Sequence, residues 1–330
     1  MRIIDVHNHL YPKEWLDYLE KHSKTLAVRK KDDKILIYFK GTRLATIEKK
    51  GHIDPEARLQ DMDEKKIDVQ IISLSTPSVE LAPKRDGIPW AKRLNDYFAT
   101  LCQRSKGRFQ FYAVLPLQDI PASIKELERA KTDLGAKGII MFSNVCGKPI
   151  YFQEFYPIYE AASSLNLPIL IHPGPPITST VLKKVMMPVP LFGFVMDTTI
   201  AVTGLIYFGI FDRFPDLKII HPHLGGVFPY LVGRINDAYK AYGKDYRFCL
   251  KKEPSQYYRE NVYVDSISFH TPSLLCAIEF MGTDRVLFGT DYAHPIGGID
   301  KAIKSVRALN LKEEEKEKIF SENAKRLFKI

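Results

Sequence analysis

Cysteine is scarce in this 330-residue chain, which has four: Cys102, Cys146, Cys249 and Cys276. None forms a CxxC pair, and the spacing suggests no disulfide framework, so a cystine-stapled module is excluded and a reduced, cytoplasmic compartment is expected. Long hydrophobic runs are missing too. The longest apolar-rich stretch, Thr199–Phe211, reads as too short and too mixed for a membrane span. The first apolar run is broken by His7 and His9, so no signal peptide is expected. Repeats and low-complexity linkers are absent. The net charge is +9, but the lysines are scattered among glutamates, as in LKEEEKEKIF, and no basic run is interleaved with aromatics. That pattern reads as a solvated Lys/Glu surface and excludes a dedicated nucleic-acid face.

What is there is a soluble composition, 45% apolar and 26% charged, with material for a sizeable core. A short apolar run followed by an amphipathic segment recurs. The runs are Ile3–His9, Val69–Ser75, Phe109–Leu117, Gly138–Phe142, Pro168–His172, Lys218–His223, Val262–Ile267 and Val286–Asp291. Helical patterns such as IPASIKELERAKTDLGA and EFYPIYEAASSLNLP lie between them. Near-continuous apolar strands alternating with helices indicate a parallel sheet covered on both faces. Eight units predict an α/β fold of the (β/α)8 TIM barrel type, with an open doubly wound sheet as the alternative. Between the first strand and a helix near Pro55–Lys65 lies TLAVRKKDDKILIYFKGTRLATIEKK. Its alternation around KDDK and KGT predicts a small antiparallel β insertion after strand 1, with hairpins over about 24–50.

Active sites of such barrels form at the C-terminal ends of the strands. Strand one, RIIDVHNHL, carries Asp5, His7 and His9 at a spacing of two, which places them on one face. Strand five ends in His172, strand six in His221 and His223, and strand eight in Asp291 followed by His294. A lone histidine there is ordinarily a hydrogen-bonded core residue, and a lone aspartate a turn or cap residue. Four strands delivering imidazole or carboxylate to one rim point instead to a divalent-metal site, zinc or a neighbour of zinc.

Together DVHNH, LIHP, HPHLGG and FGTDYAHP resemble the amidohydrolase superfamily, and within it the branch of aminocarboxymuconate semialdehyde decarboxylase and related nonhydrolytic decarboxylases. The resemblance runs through DPEARLQDMDEKKIDVQIISLSTPSVE and MDTTIAVTGLIYFGIFDRFPDLKIIHPHLGGVFPYLVGRIND, so residues 1–330 are expected to form a single barrel domain of this kind. It implies that His7, His9, His172 and Asp291 bind one divalent metal, Zn2+ or alternatively Mn2+. It also implies that His223, followed by the Gly225–Gly226 turn, is the acid/base beside a metal-bound water, with Asp291 sharing in proton handling. His221, two positions earlier on the strand, is expected to share a face with His223. Binuclear members carry a lysine on strand four; here that strand reads GIIMFSN, which favours one metal.

A leaving carboxylate calls for a cationic partner. Arg234, eleven residues after His223, matches an arginine that in relatives reaches the neighbouring subunit's site; the plain alternative is an ion pair with Asp237. Arg43, in the insertion, is a second candidate. The expected substrate is a small unsaturated or aromatic carboxylic acid, and the expected assembly a homodimer. The His-x-His start differs from the Glu-x-His of resorcylate-type and vanillate-type relatives and argues against those substrates. A hydrolase of a lactone or cyclic amide on the same site is the alternative activity, with a hydratase or a non-catalytic metal-binding barrel behind it.

Overall fold

A computed structural model describes residues 1–330, apart from the side chain of Lys49. Strand β1 (Ile4–His9) is buried along its whole length. It is followed by a ten-residue helix, Lys13–His22, not anticipated from the sequence. The insertion then forms three antiparallel strands, β2 (Leu26–Lys31), β3 (Lys34–Phe39) and β4 (Thr42–Glu48), in the order β2-β3-β4. One face of this sheet buries Ile35, Ile37, Leu44 and Ile47, while most of β2 is open to solvent.

The helix Pro55–Lys65 starts where Asp54 accepts hydrogen bonds from the N–H groups of Glu56 and Ala57, both at 3.0 Å, with Pro55 at the first helical position. It ends at Lys66, whose φ is 58°. The chain then lays down β5 (Val69–Ser73), β6 (Phe109–Ala113) and β7 (Gly138–Phe142), followed by the short hairpin β8 (Asn144–Val145) and β9 (Lys148–Pro149). The last strands are β10 (Ile169–His172), β11 (Ile219–His221), β12 (Val262–Asp265) and β13 (Val286–Leu287). Eight of these form one parallel sheet in the order β1-β5-β6-β7-β10-β11-β12-β13.

The sheet closes. The N–H of Val6 bonds the carbonyl of Phe288 at 2.9 Å, and the N–H groups of Thr290 and Asp291 bond the carbonyl of His7 at 3.2 and 2.8 Å. The fold is therefore a (β/α)8 barrel, and closure brings the first and last strands, His7 and Asp291 included, side by side. Asp5 supports this seam from inside, accepting from Thr290 Oγ1 at 2.7 Å and Gln70 Nε2 at 3.0 Å. Burial pushes its carboxyl up to about 6. Arg58, fully buried, donates to Asn8 Oδ1 at 2.9 Å, Gln70 Oε1 at 3.0 Å and the carbonyls of His9 and Gly51.

Two expectations are corrected. The apolar stretch read as Thr199–Phe211 covers the end of a helix, Val189–Tyr207, and the start of a short one, Ile210–Arg213; the first has 19 residues and mean hydropathy 1.7, long and apolar enough to cross a membrane by length and composition. More than half of it is buried on the barrel, including Asp197, which accepts from the Asn144 side chain at 2.9 Å and the Ile177 N–H at 3.1 Å. The run read as Lys218–His223 is a strand only as far as His221, because His223 and Leu224 both take left-handed backbone angles, φ 53° and 56°.

Candidate active site and metal centre

At the C-terminal rim the rings of His7, His9 and His172 meet, with centroids 4.9 Å (His7–His9), 5.3 Å (His7–His172) and 4.7 Å (His9–His172) apart. Their protons can be placed from their partners. Ser73 spends its hydroxyl hydrogen on the carbonyl of Asn8 at 2.9 Å, so its oxygen, 2.9 Å from His9 Nδ1, accepts from His9. His7 Nδ1–H donates to Asp265 Oδ2 at 2.6 Å, and His172 Nδ1–H to the carbonyl of Pro173 at 3.1 Å. In their neutral forms all three rings therefore present a bare Nε2.

The lone pairs of His7 and His9 converge with the Asp291 carboxylate, while His172 groups with His7 and His223. His7 Nε2 lies 3.1 Å from His9 Nε2, and Asp291 Oδ1 lies 3.2 Å from His9 Nε2 and 3.8 Å from His7 Nε2. Asp291 Oδ1 is buried and accepts no hydrogen bond. Burial and the neighbouring imidazoles hold His9 and His172 well below the usual histidine range, which keeps them neutral. His7 moves the other way: burial opposes its charge, but Asp265 raises its affinity for a proton. In their neutral forms these buried acceptors face one another without a proton, an arrangement that a bound cation satisfies. Ligands on a metal at about 2.1 Å and angles of about 90–109° sit roughly 3.0–3.4 Å apart, close to this spacing. The donor set fits a divalent ion.

His223 lies beside the cluster, its ring centroid 5.1 Å from that of His7, and its Nδ1 has no partner. Burial and His7 lower its proton affinity. Its position depends on the turn after β11. Gly226 takes φ 58°, and a Cβ there would stand 2.3 Å from Thr199 Oγ1 and 2.6 Å from the carbonyl of Val195, so the turn needs glycine. The same turn removes His221 from the site. Because the strand stops, alternation does not carry past it, and His221 does not share a face with His223 as the sequence suggested. It is held instead between Tyr258 Oη at 2.9 Å and Thr198 Oγ1 at 3.2 Å.

The rim opens into a cavity of about 780 Å3. His172, His223, Asp291 and His294 lie on its wall, and much of the remainder is apolar, including Met187, Leu191, Phe194, Ile267 and Phe269. Arg43 lines it from β4 and is the sole Arg or Lys among the described lining residues. Arg234, by contrast, is exposed on the helix Phe228–Tyr242 and does not line the cavity of its own chain. That helix pairs Lys240 with Glu253 at 2.8 Å, and among the described residues no ion pair joins Arg234 to Asp237.

Sequence reasoning passed over Asp265, Ser73 and His52. Asp265 and Ser73 each close an apolar strand, VYVD and VQIIS, the same signal that marked Asp291. His52 follows the insertion, where no pattern announced it.

A parallel barrel with a histidine–carboxylate cluster at its C-terminal rim defines the class of hydrolase-like metal barrels. The chain belongs to the amidohydrolase family, whose model matches residues 4–330. It is 30% identical over 329 residues to the 2-amino-3-carboxymuconate-6-semialdehyde decarboxylase of Dictyostelium discoideum, covering 97% of this chain and 90% of that protein. It is 33% identical over 286 residues to the gamma-resorcylate decarboxylase of a Rhizobium species, covering 83% of this chain and 87% of that one. The structure of 5-carboxyvanillate decarboxylase from Novosphingobium aromaticivorans, complexed with manganese and 4-hydroxy-3-methoxy-5-nitrobenzoic acid, superposes with a TM-score of 0.86 at 26% identity, covering 100% of this chain and 96% of that chain.

Proposed function

We propose that the protein is a metal-dependent, nonhydrolytic carboxy-lyase that releases carbon dioxide from a small unsaturated or aromatic carboxylic acid. The observation that carries this reading is the convergence of the bare Nε2 atoms of His7 and His9 on the unpartnered Asp291 Oδ1, beside the free Nδ1 of His223, at the base of a largely apolar cavity. His7, His9, His172 and Asp291 would hold one divalent ion, Zn2+ or Mn2+. When bound, such an ion supplies positive charge that orients the substrate and stabilises charge developing on its oxygens.

The chain's own residues do the rest. Decarboxylation replaces a C–C bond by a C–H bond and consumes one proton. His223 and Asp291 are the groups placed to hold that proton and deliver it to the carbon bearing the carboxylate, whose electrons then remain in the ring or diene as carbon dioxide departs. The apolar walls receive an unsaturated body and keep water away from it. Arg43 meets an acidic substituent from the rim, and Arg234 would serve the site of a second subunit in a two-fold dimer. Four unpaired cysteines fit a reducing, cytoplasmic setting.

The test is turnover by protein loaded separately with Zn2+ and Mn2+, assayed for carbon dioxide release with 2,6-dihydroxybenzoate, 5-carboxyvanillate and 2-amino-3-carboxymuconate semialdehyde, and for ring opening with a lactone panel. Carbon dioxide release with stoichiometric loss of the acid is expected. Lactone opening without carbon dioxide release would replace this reading by the hydrolase.

A further inference from the structure

Asp265 ends β12 fully buried, and each of its oxygens meets two N–H groups. Oδ2 accepts from His7 Nδ1 at 2.6 Å and from the backbone N–H of His223 at 3.0 Å. Oδ1 accepts from the backbone N–H of Leu224 at 2.9 Å and of Ile267 at 3.0 Å. The two consecutive left-handed residues, His223 (φ 53°, ψ 52°) and Leu224 (φ 56°, ψ 30°), are the reason that adjacent N–H groups point the same way. Left-handed backbone is costly for residues with a Cβ, so the turn needs such an acceptor to hold it.

We infer that Asp265 is a positioning residue that fixes two things at once: the tautomer in which His7 presents its Nε2 to the metal cluster, and the strained turn that carries His223 beside it. The inference rests on the reading of His7 as a metal ligand. Four donors on one carboxylate leave no room for a neutral substitute. In Asp265→Asn one side of the group becomes an NH2. On the Oδ1 side it would face two backbone N–H groups, neither of which can become an acceptor. On the Oδ2 side it faces His223 N–H and His7 Nδ1, and His7 alone can respond by moving its proton to Nε2. The amide therefore settles with its NH2 toward His7, and the lone pair that His7 offers to the cluster is lost.

The experiment is long-range 1H–15N correlation of histidine-labelled, metal-free protein, with His7 assigned from His7→Gln, together with Mn2+ affinity by competition against a chelator. In the wild type His7 is expected as the Nδ1–H form. In Asp265→Asn it is expected as the Nε2–H form, with Mn2+ bound about 10–100-fold more weakly. Saturating metal should restore kcat only in part, because His223 has lost an acceptor as well. A wild-type His7 protonated at Nε2, or an Asp265→Asn protein with the wild-type tautomer and affinity, overturns the inference. Wild-type protein that shows the Nδ1–H tautomer yet binds no Mn2+ or Zn2+ would sink the metal-site reading and leave the role of Asp265 in ordering His7 standing. If Asp265→Asn fails to fold, the wild-type tautomer still decides.

Discussion

Nε2 of His52 lies 3.2 Å from Nδ1 of His294. The pair joins the inserted sheet to the rim of the barrel, since His52 follows β4 and His294 stands three residues after Asp291. The backbone N–H of Glu48 donates to His52 Nδ1 at 3.0 Å, so His52 carries its proton on Nε2 and donates it to His294. The His294 ring is thereby held 4.8 Å from that of His9, on the cavity wall. Substituting His52→Leu should leave His294 Nδ1 buried without a donor. The expected cost is about 1–3 kcal/mol of stability and a lower kcat/KM. Metal content should not change, because neither residue belongs to the convergent set. Denaturant unfolding and elemental analysis of the variant check both parts.

His223→Ala should keep its metal and lose turnover. His223 touches the cavity through a nitrogen with no other partner, and a group that moves a proton in the transition state contributes about 10²–10⁴-fold. The loss is expected in kcat. His221→Ala should behave in the opposite way, retaining most of its kcat but losing stability, because Tyr258 Oη and Thr198 Oγ1 are left without their partner. Comparable turnover defects in the two variants would remove His223 from its assigned role.

The fold was legible because burial on both faces writes strands as apolar runs, and each of the eight runs contains a barrel strand. That imidazole and carboxylate groups would meet at one rim followed from the same reasoning, since strand ends share a rim; the choice of His7, His9, His172 and Asp291 among them came from the family resemblance. What the sequence could not show was hydrogen bonding across the barrel. Asp265 reaches His7 over 258 positions of chain, and Ser73 reaches His9 over 64. Strand alternation also misled at His221, because two left-handed residues end the strand between one histidine and the next. No period in the sequence announces a backbone that needs a distant carboxylate to hold it.

Arg43 should act on binding. It is the sole Arg or Lys among the described lining residues, and it approaches from β4 of the insertion. Arg43→Gln is expected to raise KM about tenfold or more while changing kcat less, the pattern of a contact made equally in the ground and transition states. Steady-state kinetics with an acid and its decarboxylation product as inhibitor would separate the two parameters. An unchanged KM would mean that the substrate's acidic group lies elsewhere.

Glu80 makes stability depend on pH. It is buried, neither carboxyl oxygen has a hydrogen-bond partner, and burial pushes its pKa up from 4.5 to about 7. The folded state thus holds a proton that the unfolded state releases above its lower pKa. The contribution is full below about pH 4.5 and is lost as pH rises through about 7. Asp5, raised to about 6, adds to the same trend. Glu80→Gln cannot ionise, so it should match the parent near pH 4.5 and exceed it at pH 8, by about 1–3 kcal/mol after allowing for an unpaired amide. Thermal unfolding at the two pH values reads this directly. A variant less stable than the parent at pH 8 would show that the carboxylate is satisfied there.

The helix Phe228–Tyr242 turns Leu231, Ile235 and Ala238 partly inward, while Tyr230 is 82% exposed and Arg234 projects into solvent without reaching its own cavity. At the start of the helix Val189–Tyr207, Leu191 and Phe192 are about half exposed too. A two-fold dimer that buries this side would bring Arg234 of one subunit toward the substrate of the other. In that arrangement each site draws His223 from one chain and Arg234 from its partner. His223→Ala and Arg234→Ala homodimers should both be nearly inactive, by different routes: the first in kcat, the second chiefly in KM. Mixing them under conditions of subunit exchange should restore activity, because a mixed dimer has one site lacking both groups and one site with both intact. At equal concentrations and random pairing about half of the dimers are mixed, and each offers one working site of two, so about a quarter of wild-type activity is expected. Exchange demonstrated by mass-tagged subunits, with no return of activity, would confine Arg234 to its own chain's surface.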